Sequence, residues 1–138
     1  MEVTPSYTKE QDGVAERYNR TLGEWEKTNL HQSGLPMSFW AEAQMYSEFI
    51  LRRCYSGATG EIPGQAWNRA RLDPLPTSQT NVFMCRPFGC EAFIHIPKEQ
   101  RRKGDFKARR GVFIGYSFDQ GTYAHRIWDP TLRRIILS

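Results

Sequence analysis

Glu16, Asn19, Arg20 and Lys27 fall at intervals that a helix would place on one face, with Gly23 between them. One carboxylate followed by an amide and two cations is a set of groups suited to phosphate chemistry. Glu16 could hold a hard divalent cation such as Mg2+, which takes oxygen ligands. Arg20 and Lys27 could meet phosphates. Gly23 would let a backbone come close, although glycine inside a helix costs about 1 kcal/mol against alanine. Ordinary solvated helix faces mix Glu, Arg and Lys in the same way, so both readings stand on these residues alone.

A second candidate is the run KEQRRKGDFKARR at 98–110. It holds seven Lys/Arg against two Asp/Glu, so its local charge is +5. The remaining 12 basic and 13 acidic residues leave −1, so the formal net charge of +4 comes from one patch. A concentrated positive field favours a polyanion, with nucleic acid the usual partner, while a solvated basic loop is the alternative. Its candidate phosphate ligands are Lys98, Arg101, Arg102, Lys103, Lys107, Arg109 and Arg110. The two basic clusters also loosely match a nuclear-import signal. Cys54, Cys85 and Cys90 are odd in number and contain no CxxC pair, and His31, His95 and His125 lie at no zinc-finger spacing from them. Buried reduced thiols are expected. The four tryptophans, Trp25, Trp40, Trp67 and Trp128, are expected as core aromatics rather than base-stacking platforms.

The elements that position these groups change character along the chain. Asp12 is a suitable N-cap, after which Val14, Tyr18, Leu22 and Trp25 recur at helical spacing. Ser33-Gly34 breaks the pattern. A second helix is expected from Pro36, with a broad apolar stripe through Phe39, Trp40, Ala43, Tyr46, Phe49, Ile50 and Cys54. A short third helix over Pro63 to Ala70 would turn Ala66 and Trp67 inward. The stretch RLDPLPTSQTN at 71–81 reads as a linker. Beyond it the period becomes strand-like at 90–96, 111–116, 123–128 and 132–137, with Asp129-Pro130-Thr131 as a turn.

The expected fold is therefore α+β: a helical segment over 1–70, a linker over 71–81, and a small antiparallel barrel or curled sheet over 82–138. Broad apolar helix faces with no sheet to cover suggest a piece of something larger. No apolar run reaches the roughly 18 residues that cross a bilayer, and the amino terminus has no secretory h-region. Membrane and secretory classes are thereby set aside, and an intracellular, soluble chain is expected.

The string YTKEQDGVAERYNRTLGEWEK resembles the segment around the third acidic residue of Copia-type (Ty1/copia) retrotransposon integrases. Thr8, Gln11, Gly13, Val14, Ala15, Glu16, Arg17, Asn19, Arg20, Thr21 and Leu22 match its pattern, whereas Lys9 and Asp12 depart from it. The resemblance continues through Gly34-Leu35-Pro36, Phe39 to Ala43, Pro63 with Ala66-Trp67, and Phe88-Gly89-Cys90. It reaches GVFIGY at 111–116 and Trp128-Asp129-Pro130.

This resemblance implies an RNase H-like integrase core in which two aspartates and a glutamate bind two Mg2+ or Mn2+ ions for DNA strand transfer. Glu16 matches that glutamate, and Asn19 and Arg20 match positions near bound DNA. The resemblance further implies an SH3-like β-barrel over about 82–138 and residence in the nucleus. The family's two aspartates lie upstream of the glutamate. Here 15 residues precede Glu16 and hold a single aspartate, Asp12, on the same turn. No metal is expected to bind well, and the chain by itself is expected to be inactive. Three functions are carried forward: an inactive integrase fragment, a sequence-nonspecific DNA-binding module, and an interaction module. The last would self-associate or dock on the upstream integrase core.

Overall fold

The computed structural model describes residues 9–71, 85–119 and 122–138. Among these residues three α-helices, α1 (Lys9–Ser33), α2 (Trp40–Leu51) and α3 (Pro63–Arg69), precede four strands. These are β1 (Glu91–His95), β2 (Ala108–Asp119), β3 (Thr122–Asp129) and β4 (Arg134–Leu137). They form one antiparallel sheet in the order β1-β2-β3-β4, so the fold is a helical segment followed by a meander, as expected. The expected linker at 71–81 falls, except for Arg71, outside the described residues.

α1 begins at Lys9, which places Asp12 inside the helix rather than at its cap. The helix ends where Gly34 adopts φ +67 and its N–H donates to the Leu30 carbonyl (3.1 Å), a left-handed cap that glycine makes without strain. Pro36 is followed by a single 3-10 turn, Met37–Phe39, and α2 proper starts at Trp40. α1 meets α2 through buried Leu30 and through a polar link in which Asn29 Nδ2 donates to Ser47 Oγ (2.9 Å). The Ser47 hydroxyl in turn donates to the Ala43 carbonyl (2.7 Å), so this fully buried hydroxyl is satisfied.

One core joins helices and sheet. Leu30, Ala43, Tyr46, Ile50, Phe88, Phe113 and Ile114 are all buried in it. Phe113 and Ile114 are consecutive, and a regular strand would send them to opposite faces. The β2–β3 register resolves this: Phe113 faces Ile127 but Gly115 faces Arg126, leaving Ile114 as the extra residue of a bulge. Gly115 there has φ +133. Tyr46 lies against Phe88, Phe113 and Tyr116, while Phe49 stacks on Tyr116 with centroids 4.2 Å apart. The polar ends of two of these rings clamp one residue, since Tyr46 Oη donates to the Arg86 carbonyl (2.8 Å) and the Arg86 N–H donates to Tyr116 Oη (2.7 Å). Burial, with the neighbouring Tyr116 and Cys85, pushes the Tyr46 phenol up to about 12.

Two glycines of the sequence motifs are closed to side chains. A Cβ on Gly89, whose φ is +76, would lie 2.1 Å from Ser33 Cβ at the end of α1. A Cβ on Gly111 would meet Ile127 Cγ2 at 2.6 Å and Ile94 Cδ1 at 2.8 Å.

The apolar patterning overestimates burial in places. Leu22 is buried, but Val14, Tyr18 and Trp25 of the same stripe are exposed. Trp40 and Trp67 are exposed as well, so α3 does not turn Trp67 inward. Among the tryptophans only Trp128 is half-buried, edge-on to Phe39 with centroids 5.4 Å apart. Cys54, Cys85 and Cys90 are free and half-buried.

Candidate nucleic-acid interface

The four helix positions singled out by spacing do share one side of α1. Glu16, Asn19, Arg20 and Lys27 are all exposed. They form a strip rather than a focus, since Lys27 lies about 16 Å along the axis from Glu16 at about 1.5 Å per residue. Arg20 Nε approaches Glu24 Oε1 at 3.9 Å, an exposed i,i+4 pair of small energetic weight. The Glu16 side chain makes no hydrogen bond or ion pair among the described residues. Nor do the described residues gather three or more His, Cys, Asp or Glu side chains in one place. One exposed carboxylate does not fit the metal pair that the family resemblance implies.

The basic segment divides into two groups by structure. Lys98 opens a single 3-10 turn, Lys98–Gln100, after which the chain reverses through Arg102–Asp105. That reversal is tied twice: the Arg102 N–H donates to Asp105 Oδ2 (2.7 Å) and the Asp105 N–H to the Arg102 carbonyl (3.1 Å). Gly104, at φ +102, supplies the backbone angle it needs. The Ile96 N–H donates to the Lys107 carbonyl (3.0 Å), pinning the base of the loop to the sheet. Lys98, Arg102, Lys103 and Lys107 are exposed and make no ion pair among the described residues. Arg101 is half-buried, and its Nε is shielded from solvent with no hydrogen-bond partner among them.

Arg109 and Arg110, beyond the loop, are engaged inside the fold. Arg109 Nε contacts Asp129 Oδ2 at 2.5 Å, and the Asp129 side chain is fully enclosed. Arg109 therefore leaves the set of phosphate candidates, because its guanidinium is needed where it is. Arg110 Nε reaches Glu91 Oε1 at 2.9 Å in an exposed cross-strand pair that can open.

The residue that sequence reasoning missed as a structural centre is Asp129. Its Oδ1 accepts from the Thr131 (2.9 Å) and Leu132 (3.1 Å) N–H groups, so it closes the β3–β4 turn and holds Arg109 at once. Burial alone would raise its carboxyl, but the Leu132 and Thr131 amides and Arg109 outweigh that and hold it below the ordinary carboxylate range. Its position before Pro130 is the signal that could have revealed it, because Asp readily bonds the backbone two residues on in turns. Burial also pushes the Cys85 and Cys90 thiols up, which keeps them protonated and unreactive near neutrality.

Residues 90–138 match the family of retroviral polymerase SH3-like domains. Over 138 aligned residues, 99% of this chain, the sequence is 36% identical to the retrovirus-related Pol polyprotein from transposon TNT 1-94 of Nicotiana tabacum. It belongs to the Ty1/copia-type Pol family. The Pol polyprotein from transposon RE1 of Arabidopsis thaliana is 28% identical over 88% of this Pol segment. The transposon Ty1-LR3 Gag-Pol polyprotein of Saccharomyces cerevisiae is 29% identical over 97% of it. The segment spans only 10%, 8% and 7% of these three relatives, respectively. No solved structure matches it. No helix among its described residues is long and apolar enough to cross a membrane.

Proposed function

We propose that this Pol segment belongs to the integrase region of its polyprotein and binds DNA through phosphates without reading sequence. The observation that carries the reading is the β1–β2 loop, where Lys98, Arg102, Lys103 and Lys107 stand exposed with no acidic partner among the described residues. Cations already paired within a fold contribute little to a polyanion, whereas unpaired ones release counterions from it. The α1 strip of Asn19, Arg20 and Lys27 is the second, weaker contact. In the intact polyprotein Glu16 would complete a carboxylate set with groups from elsewhere and share Mg2+ or Mn2+. With one carboxylate at hand, the 138-residue chain by itself does not transfer strands. Action on DNA integration places the parent protein in the nucleus.

The test is fluorescence anisotropy with a labelled duplex of arbitrary sequence. Affinity should fall with added salt at a log–log slope of roughly −3 to −4, about −0.9 for each of the four cations. Reversing Arg102, Lys103 and Lys107 to Glu should remove measurable binding. An absence of binding by the unaltered chain at 50 mM salt would end the proposal.

A second reading, a protein-docking module, is favoured by Val14, Tyr18 and Trp25, which leave an apolar stripe of α1 uncovered. It predicts concentration-dependent self-association by light scattering. A chain that stays monomeric up to 100 μM would count against it.

A further inference from the structure

The β1–β2 loop carries more than charge. Phe106 is 87% exposed, the largest exposure of any large apolar side chain described. It sits directly after the twice-tied Arg102–Asp105 reversal and directly before Lys107, with Lys103 three residues upstream. A phenylalanine left in water is unfavourable by the apolar area it exposes, and it gains nothing from the fold here. Its setting is a rim of exposed cations on a loop whose base is pinned to the sheet by the Ile96–Lys107 backbone bond.

Cations that hold phosphates and an aromatic face that meets bases are the two parts of a single-strand binding site. A duplex offers the phosphates but hides the base faces in its stack. An unpaired strand offers both.

We infer that Phe106 is a base-stacking residue and that this loop takes unpaired nucleic acid strands in preference to duplex. The inference rests on the phosphate-binding role proposed for the same loop and names the form of nucleic acid it selects. Phosphates would lie along Lys103, Lys107 and Arg102, and one base would lie on the Phe106 ring. The shared chemistry, a π face beside a phosphate, occurs in both DNA and RNA strands.

The experiment compares oligo(dT), oligo(U) and a DNA duplex of matched charge, binding each to the whole 138-residue chain by anisotropy at one salt concentration. The variants are Phe106→Ala, Phe106→Leu and Phe106→Trp. The side chain is exposed and makes no ring contact among the described residues, so none of the three should unfold the protein, and circular dichroism checks this. Stacking one base predicts a loss of roughly 5- to 150-fold for Ala on the unpaired strands with the duplex nearly unchanged. Leu should behave as Ala, because it is apolar but has no π face, and Trp should bind as well as Phe or better. A loss confined to oligo(dT) or to oligo(U) supports stacking and identifies the strand taken. Equal losses on strand and duplex, or rescue by Leu, would overturn it. If the unaltered chain binds none of the three ligands, the phosphate reading fails first. If the chain binds duplex and strands alike and Phe106→Ala changes neither, only the stacking inference is lost.

Discussion

Along the seam between helices and sheet nearly every motif residue is engaged by distant parts of the fold, whereas in the first turns of α1 the motif side chains bond only within their own helix. In and beside the seam, Ile114 is fully buried, Gly89 and Gly111 have no room for a Cβ, and Asp129 answers Arg109 and two backbone amides. On α1, Val14 is 70% exposed, Glu16 is unpartnered among the described residues, and a Cβ on Gly23 would meet nothing within 4 Å. The difference separates motif residues that hold this fold together from motif residues that it leaves facing water. A recurring residue type at a recurring spacing does not by itself say which kind it is.

The largest expected effect tests the engaged side. Gly89→Ala would force a left-handed φ on a side-chain-bearing residue and drive its Cβ into Ser33. Left-handed strain of about 1–2 kcal/mol and overpacking of about 1–3 kcal/mol together predict a loss of about 2–5 kcal/mol. The midpoint of urea unfolding followed by circular dichroism measures it. A loss under about 1 kcal/mol would mean that the end of α1 and the start of β1 are not packed together in solution.

Asp129→Asn comes next. It keeps an acceptor for the Thr131 and Leu132 amides but removes the charge facing Arg109, so a loss of about 2 kcal/mol is expected at pH 7. The pH dependence follows from the lowered carboxyl. A group whose folded pKa lies below its unfolded value, about 3.9 for Asp, contributes stability above that value and loses it as pH falls through the folded one. Unfolding at pH 7, 5 and 3 should therefore show a gap between wild type and variant that is constant at the first two and narrower at the third. A gap unchanged at pH 3 would assign the effect to something other than the Arg109–Asp129 charge pair.

Gly23→Ala sharpens the contrast by reversing the sign. In a helix interior with open space around it, alanine should stabilise by about 0.5–1 kcal/mol. The same change at Gly89 is destabilising. A loss of DNA affinity in Gly23→Ala, with stability gained, would show that the helix accepts a close backbone approach there.

The sequence was most legible where one local force dominates. Period-2 patterning located all four strands, and Gly34 marked the end of α1 through its left-handed cap. Period-3.6 patterning found the helices but not what covers them: it reports which face is apolar and is silent on whether a partner exists, so Trp25, Trp40 and Trp67 emerged exposed. The seam was illegible because it depends on contacts between distant residues, such as Tyr46 with Arg86 and Glu42 with Arg126. Charge counting had the same blind spot. It placed Arg109 with its neighbours in the basic run, when a carboxylate twenty residues away had already claimed it.

The smallest effect probes the unengaged side at its centre. Glu16→Gln should leave stability within about 0.5 kcal/mol, since Glu16 is exposed and has no partner among the described residues. Its informative readout is DNA affinity. If the strip of Asn19, Arg20 and Lys27 faces phosphates, Glu16 repels them, and its neutralisation should raise affinity by about two- to threefold at low salt and by less at high salt. If that strip faces solvent, affinity should not move. Adding Mg2+ tells the carboxylate's own story: an ion bridging Glu16 to a phosphate would make binding Mg2+-dependent in the wild type and independent in the variant. Equal Mg2+ dependence in both would leave Glu16 a solvated residue in this chain, with any metal chemistry depending on carboxylates supplied from elsewhere in Pol.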